Sequence, residues 1–298
     1  MFKRIGLFLL TNIAVIATVT IITQVFGLEP YMNANGINYQ ALLIFCSIWG
    51  MVGSFISLAL SKFMAKRMMG VKIVEPNGQF SSLVNTVHRL AKAANLPKMP
   101  EVGVYDSPEV NAFATGPSKS NSLVAVSSGL LNSMTEDEVE GVLAHEIAHI
   151  ANGDMVTMAL VQGVVNAFVM FFARIAAFAV QNFLRGDDDE GEGFSFMINF
   201  VLIMVFQIAF GILGSVVVAF FSRYREFRAD SGGARLAGRE KMVAALKRLQ
   251  SQFESGNFKD DEPSMNAMKI STKGSRFAAL LSTHPPLSTR IKALEMNA

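Results

Sequence analysis

The sequence predicts a mainly α-helical membrane protein, with four transmembrane helices joined to a cytoplasmic α+β part that holds a small β-sheet. Three observations lead there. Four long apolar runs, near 5–27, 40–61, 156–182 and 197–221, concentrate the hydrophobic residues that make up 51% of the chain. Lys and Arg avoid the short segments inside each pair of runs and crowd into the long ones. The long segments carry helical and strand periodicities, and one of them contains HEIAH at 145–149.

Each run can span a hydrocarbon core of roughly 30 Å, which takes about 20 helical residues. Buried helices of soluble proteins are seldom so long and uninterrupted. Charged residues are only 17% of the chain, against about a quarter in soluble domains. Lys3 and Arg4 precede the first run as they would in a signal peptide. That run exceeds a typical h-region, and no small-x-small cleavage site follows, so a retained span is expected. Cys46 is the single cysteine, which excludes an intrachain disulfide and suits a reducing compartment.

Between the first two runs, LEPYMNANGINY has no Lys or Arg, and between the last two RGDDDEGEG has only Arg185. Segment 62–155 holds eight and the region after 221 holds fourteen. The positive-inside rule therefore places both termini and both long polar segments in the cytoplasm. The expected organisation is a transmembrane pair over 1–61, a cytoplasmic part over 62–155, a second pair over 156–221 and a second cytoplasmic part over 222–298. The net charge of +2 is small, and the basic excess follows the topology, so no nucleic-acid partner is expected. Arg174, inside the third run, is read as snorkelling from near its outer end.

FSSLVNTVHRLAKAANLP (80–97) shows helical spacing, with Pro97 as its stop and His88 as a surface or packing residue. EVGVYDS, NAFATG and SLVAVSS read as short strands of one small sheet. In TEDEVEGVLAHEIAHI, Thr135 and Glu138 form a capping box, and Glu136, Asp137 and Glu138 suit the positive helix start. SRYREFRADSGGARLAG continues the fourth run as a helix ended by Gly238. KMVAALKRLQSQF is a further helix, 254–275 a polar linker, and Leu287 to Met296 a last amphipathic stretch.

Residues four apart share a helix face, so His145 and His149 can direct two imidazoles at one metal. Glu146 is rotated by about 100° from His145 and can reach a water beside the metal. A chance match in a chain of this length is about one in a hundred. A catalytic zinc site takes three protein ligands and keeps one open position. HExxHxxGxxH would supply the third locally, but Asn152 and Met155 stand at those places. Asp154 reads as the N-cap of the next helix. Glu226 and Asp230, four apart in YREFRAD, form the better candidate: the glutamate as ligand, the aspartate as the group that fixes a ligand histidine. An ordinary charged helix with Arg223, Arg225 and Arg228 as partners fits that spacing equally.

HEIAH, the following pair of spans, EFRAD and STHPPLSTRI near the end together resemble the bacterial heat-shock membrane proteases of the CAAX prenyl protease type of gluzincin. The likeness covers essentially the whole chain. It implies a zincin-like α+β metalloprotease domain, one Zn2+ per chain, and peptide hydrolysis in stress-related quality control at the bacterial inner membrane. It implies His145, His149 and Glu226 as metal ligands, Glu146 as general base and Asp230 as the acid behind a ligand. His284 would bind substrate or stabilise an oxyanion, although a plain turn histidine before two prolines is the alternative. Arg290 would stand near the site, and Asn111 would mark an edge segment that holds an extended peptide. The implied partners are unfolded or damaged membrane proteins, the lipid bilayer and other membrane quality-control proteases. No P-loop pattern is present, so peptide cleavage without ATP hydrolysis is expected. A non-catalytic zinc scaffold is disfavoured, because structural sites usually have four protein ligands and favour Cys. A prenyl-protein endopeptidase would need a large intramembrane chamber, for which four spans are few.

Overall fold

The structure, a computed structural model, describes residues 38–184, 192–254 and 281–296, with residues 21, 24, 25 and 27 besides. The first apolar run lies mostly outside the described residues, and the linker at 254–275 does so beyond Glu254. In order along the chain come α1 (Tyr39–Met68), β1 (Lys72–Ile73), α2 (Ser81–Ala93), β2 (Glu101–Tyr105), β3 (Ala112–Ser118), β4 (Asn121–Ser127), α3 (Ser128–Ser133), α4 (Glu136–Asn152), α5 (Asp154–Leu184), α6 (Glu192–Ala237), α7 (Arg239–Glu254) and α8 (Leu287–Met296). Among the described residues, three helices are long and apolar enough to cross a membrane: Tyr39–Met68, Asp154–Phe183 and the long helix from Phe196, with mean hydropathy of 2.0, 1.9 and 2.6.

The described residues form two compact units, those up to residue 56 with those from 159 to 218, and residues 57–158 with those from 219 on. In the first unit, Tyr39, Leu43 and Cys46 of α1 pack on Ala167, Phe171 and Ile175 of α5. Tyr39 meets Phe171 edge-on, with ring centroids 5.9 Å apart. The Arg174 guanidinium lies 5.5 Å from the Phe45 ring centroid and donates to the Met170 carbonyl at 3.0 Å. A ring face and a carbonyl thus share a charge that an apolar run cannot solvate.

The second unit is built on a four-stranded sheet of order β1-β2-β4-β3. β2 and β4 are parallel, pairing Glu101 with Leu123 through Tyr105 with Ser127, while β1 and β3 add antiparallel edges. β4 is central, and its side chains alternate between two apolar clusters. Val124 and Val126 face Leu83, Val87 and Leu90 of α2 and Leu143 and Ile147 of α4. Leu123 and Ala125 face Tyr105, Val71 and Ala65. Burial on both faces explains why 123–126 is a continuous apolar run rather than an alternating one.

Three local features differ from the sequence expectation. Pro97 does not end α2. The helix stops at Ala93, because Asn95 turns left-handed (φ 54) and the Leu96 N–H reaches back to the Ala91 carbonyl. That closure places Leu96 in the core before the proline is reached. The two-residue β1 and the one-and-a-half-turn α3 are too short for any periodicity to declare them.

Candidate metal centre

The capping box at the start of α4 is formed on both sides. The Thr135 N–H donates to Glu138 Oε2 at 2.9 Å, and the Glu138 N–H donates to Thr135 Oγ1 at 3.4 Å. Leu143, Ala144, Ile147 and Ile150 anchor the helix in the core. Gly153 ends it in the left-handed region (φ 75), returning its N–H to the His149 and Ile150 carbonyls. His145 and His149 therefore leave a rigid helix from one face, with ring centroids 4.6 Å apart.

α6 crosses this helix at unusually short range. A Cβ on Gly232 would stand 2.7 Å from Ala148 Cβ, and one on Gly233 would stand 3.1 Å from the His145 backbone nitrogen. Only glycine permits that approach. It brings Glu226 and Asp230, which precede the glycine pair, against the two imidazoles.

Asp230 Oδ1 lies 2.9 Å from His145 Nδ1, and Asp154 Oδ2 lies 2.6 Å from His149 Nδ1. A carboxylate only accepts, so each Nδ1–H donates outward. Each neutral imidazole is then left with a lone pair on Nε2, and these two atoms are 3.1 Å apart. Glu226 adds Oε1 at 3.3 Å from His149 Nε2 and Oε2 at 3.5 Å from His145 Nε2. Three electron-rich groups thus converge on one point, which needs a cation. Atoms bound at about 2.0–2.1 Å to one tetrahedral ion stand about 3.3 Å apart, close to these spacings. Glu226 is 1% exposed, and its Oε2 has no aligned hydrogen-bond partner. The residues fit a metal ion, and imidazole with carboxylate suits several divalent transition metals.

Burial opposes charge on Glu226, yet its contacts with His145, His149 and His284 prevail and hold the carboxyl well below the usual range. Burial likewise opposes a proton on His149, but Asp154 and then Glu226 outweigh it and raise the pKa to about 9. His145 is raised in the same way, by Asp230 and Glu226 against its burial. Without a metal, the cluster collects protons instead.

A model of peptidase family M48 matches residues 77–298. The chain belongs to that family. A Protease HtpX homolog of Bacillus velezensis is 53% identical over 99% of this chain and 99% of its own length. Protease HtpX of Shewanella frigidimarina is 50% identical over 98% and 99%. The crystal structure of S. mikatae Ste24p superposes with a TM-score of 0.58 over 99% of this chain and 67% of that one, at 18% identity, so the fold is shared. This M48 chain is a membrane-bound metalloprotease of mainly helical fold with a small mixed sheet.

The M48 chain places its sequence candidates unequally. His145, His149, Glu226, Asp230, His284 and Arg290 meet in one cluster. Arg290, 5% exposed, donates Nε to Asp230 Oδ2 at 2.8 Å and Nη2 to Oδ1 at 2.6 Å, with Nη1 3.5 Å from Glu226 Oε2. His284 Nδ1 is 3.0 Å from Glu226 Oε2 without the alignment of a hydrogen bond, and its side chain is 42% exposed. Arg223 holds the HPP turn by donating to the Ser282 carbonyl at 2.8 Å, while Ser282 Oγ donates to the His284 carbonyl at 2.8 Å. Glu146 follows His145 on α4, half-buried. Asn111 leads into edge strand β3, its N–H donating to Ser127 Oγ and its carbonyl accepting from the Ser127 N–H.

Sequence reasoning misplaced Asp154. It is the first residue of α5 rather than a cap, and its carboxylate lies on His149. Reasoning from periodicity also passed over Gly232 and Gly233, although two adjacent glycines inside a helical pattern signal close backbone approach.

Proposed function

We propose that the chain is a zinc endopeptidase of the bacterial inner membrane that cleaves unfolded or damaged membrane proteins in stress-related quality control. The observation that carries this is the convergence of His145 Nε2, His149 Nε2 and the Glu226 carboxylate at 3.1 to 3.5 Å. In this reading those three side chains hold one zinc ion. Zinc, when bound, would polarise a peptide carbonyl and make water acidic enough to yield a nucleophile near neutral pH.

The chain's own groups supply the rest. Glu146, next to His145 in sequence and turned from it by about 100°, takes the proton of the attacking water and passes it to the leaving amine. Asp230 orients His145, and Arg290 holds Asp230 in a two-bonded fork. His284, on the exposed side of Glu226, donates to the oxyanion that develops on the substrate carbonyl. The substrate lies as an added strand along β3, whose outer edge has no neighbour strand among the described residues, with Asn111 at its start. Both termini and the centre face the cytoplasm, four helices span the bilayer, and the apolar run at 5–27 is the first of them.

The test is Glu146→Gln, which keeps the shape and removes the base. Zinc content of detergent-purified protein should stay near one per chain, while cleavage of an unfolded test protein falls by about 10²–10⁴-fold. Undiminished cleavage would remove Glu146 from the mechanism.

A further inference from the structure

We infer that Asp154 is a positioning residue for His149: its buried carboxylate accepts the Nδ1–H and so aims Nε2 at the point shared with His145 and Glu226. The inference rests on the metal-centre reading above.

The chain path makes this contact specific. On a continuous helix, a residue five positions after His149 would lie about 140° round the axis and could not meet its ring. The left-handed turn at Gly153 breaks the helix, and Asp154 returns beside the imidazole. Arg225 Nη1 donates to the Asp154 backbone carbonyl at 3.3 Å, which leaves the side chain to His149. Asp154 is 2% exposed, and among the described residues His149 is its one ion-pair partner. A carboxylate so buried is costly unless paired with good geometry, and 2.6 Å supplies it.

The two imidazoles are thereby held differently. Asp230 divides its charge between His145 and the Arg290 fork. Among the described residues no arginine pairs with the Asp154 carboxylate, and His149 is its charged partner. Such a partner sets the tautomer, fixes the ring and makes the ligating nitrogen more basic. Asp154 is also the cleaner position to test, because a change at Asp230 strands the buried Arg290.

The metal-stripped, detergent-purified chain would be titrated with zinc against a chromophoric chelator, and the unfolding midpoint of each metal-free form would be recorded. Asp154→Asn and Asp154→Ser should bind zinc about 10- to 100-fold more weakly, and Asp154→Glu, which keeps a carboxylate, should recover part of the loss. The cobalt(II) absorption spectrum of Asp154→Asn should shift as His149 loses its orientation. Zinc affinity equal to that of the unaltered chain in both the Asn and Ser forms overturns the inference. A lowered unfolding midpoint with unchanged affinity overturns it too, since that is the mark of a helix-start residue. His149→Ala separates the two levels of the argument: if it keeps full zinc affinity, the metal-centre reading itself fails, whatever Asp154 does.

Discussion

Replacing Arg290 with alanine should destabilise the second unit strongly, even though residue 290 lies in the last short helix. The guanidinium makes two bonds to Asp230, at 2.8 and 2.6 Å, and stands 3.5 Å from Glu226. Both carboxylates are 1% exposed, so water cannot replace the lost cation. Removing one partner of a buried ion pair costs about 3–5 kcal/mol. For a domain of this size each kcal/mol moves the midpoint by about 2–4 °C, which gives a fall of about 6–20 °C. The lower half of that range is expected, because His145 remains on Asp230. Arg290→Lys keeps the charge but not the fork and should fall between the two. Acid titration adds a second readout. Burial pushes the Asp230 carboxyl up, but Arg290 and His145 more than offset it and leave it below its usual value. A depressed carboxyl stabilises above its ordinary pKa of about 3.9, and that contribution is lost as pH falls through the lower folded value. The alanine form should therefore lose less stability on acidification than the unaltered chain. The measurement is thermal unfolding of metal-free, detergent-purified protein from pH 7 down to pH 3. A midpoint within about 2 °C of the unaltered chain, with the same acid profile, would refute the reasoning.

Glu226→Gln removes the charge of the proposed third ligand, so zinc affinity and peptide cleavage should fall together; zinc titration showing unaltered affinity would move that ligand elsewhere. At the proposed site zinc would compete with protons, which the raised pKa values of His145 and His149 favour in the metal-free chain. Its apparent affinity should therefore weaken by about tenfold per pH unit for each such proton, beginning below the His149 value of about 9. The metal-free chain should show the opposite trend. A raised histidine stabilises fully below its ordinary pKa of about 6.5, and that stability disappears as pH rises through about 9. Chelator competition and unfolding across pH 6 to 9.5 would check both, and a flat zinc affinity would contradict the proton count. Cysteines placed in 30–38 and 186–193, in a Cys46→Ser background, should be labelled by an impermeant thiol reagent added outside, and cysteines in 255–275 should not; the reverse pattern would invert the proposed orientation.

The sequence by itself determined what short-range physics governs. Long apolar runs declare helices that can cross a bilayer because length and transfer free energy are local properties. Thr135 and Glu138 declare the start of α4, and i, i+4 spacing puts His145 with His149 and Glu226 with Asp230 on common faces. The continuous apolar run of β4 marked it as a strand, though not as the centre of the sheet. The tertiary structure alone decided which faces meet. Asp230 and Arg290 are 60 residues apart, and no periodicity links a helix that continues an apolar run to a short one near the end of the chain. The approach of α6 to α4 depends on the missing side chains of Gly232 and Gly233, which sequence pattern registers only as a weak interruption. Asp154 is the instructive case. It is five residues from His149, yet its contact depends on the left-handed turn at Gly153, and a one-step error in where that helix ends turns the partner of His149 into a cap. Side-chain chemistry could name the candidates, but the site is a set of distances between elements remote in sequence, and packing sets those.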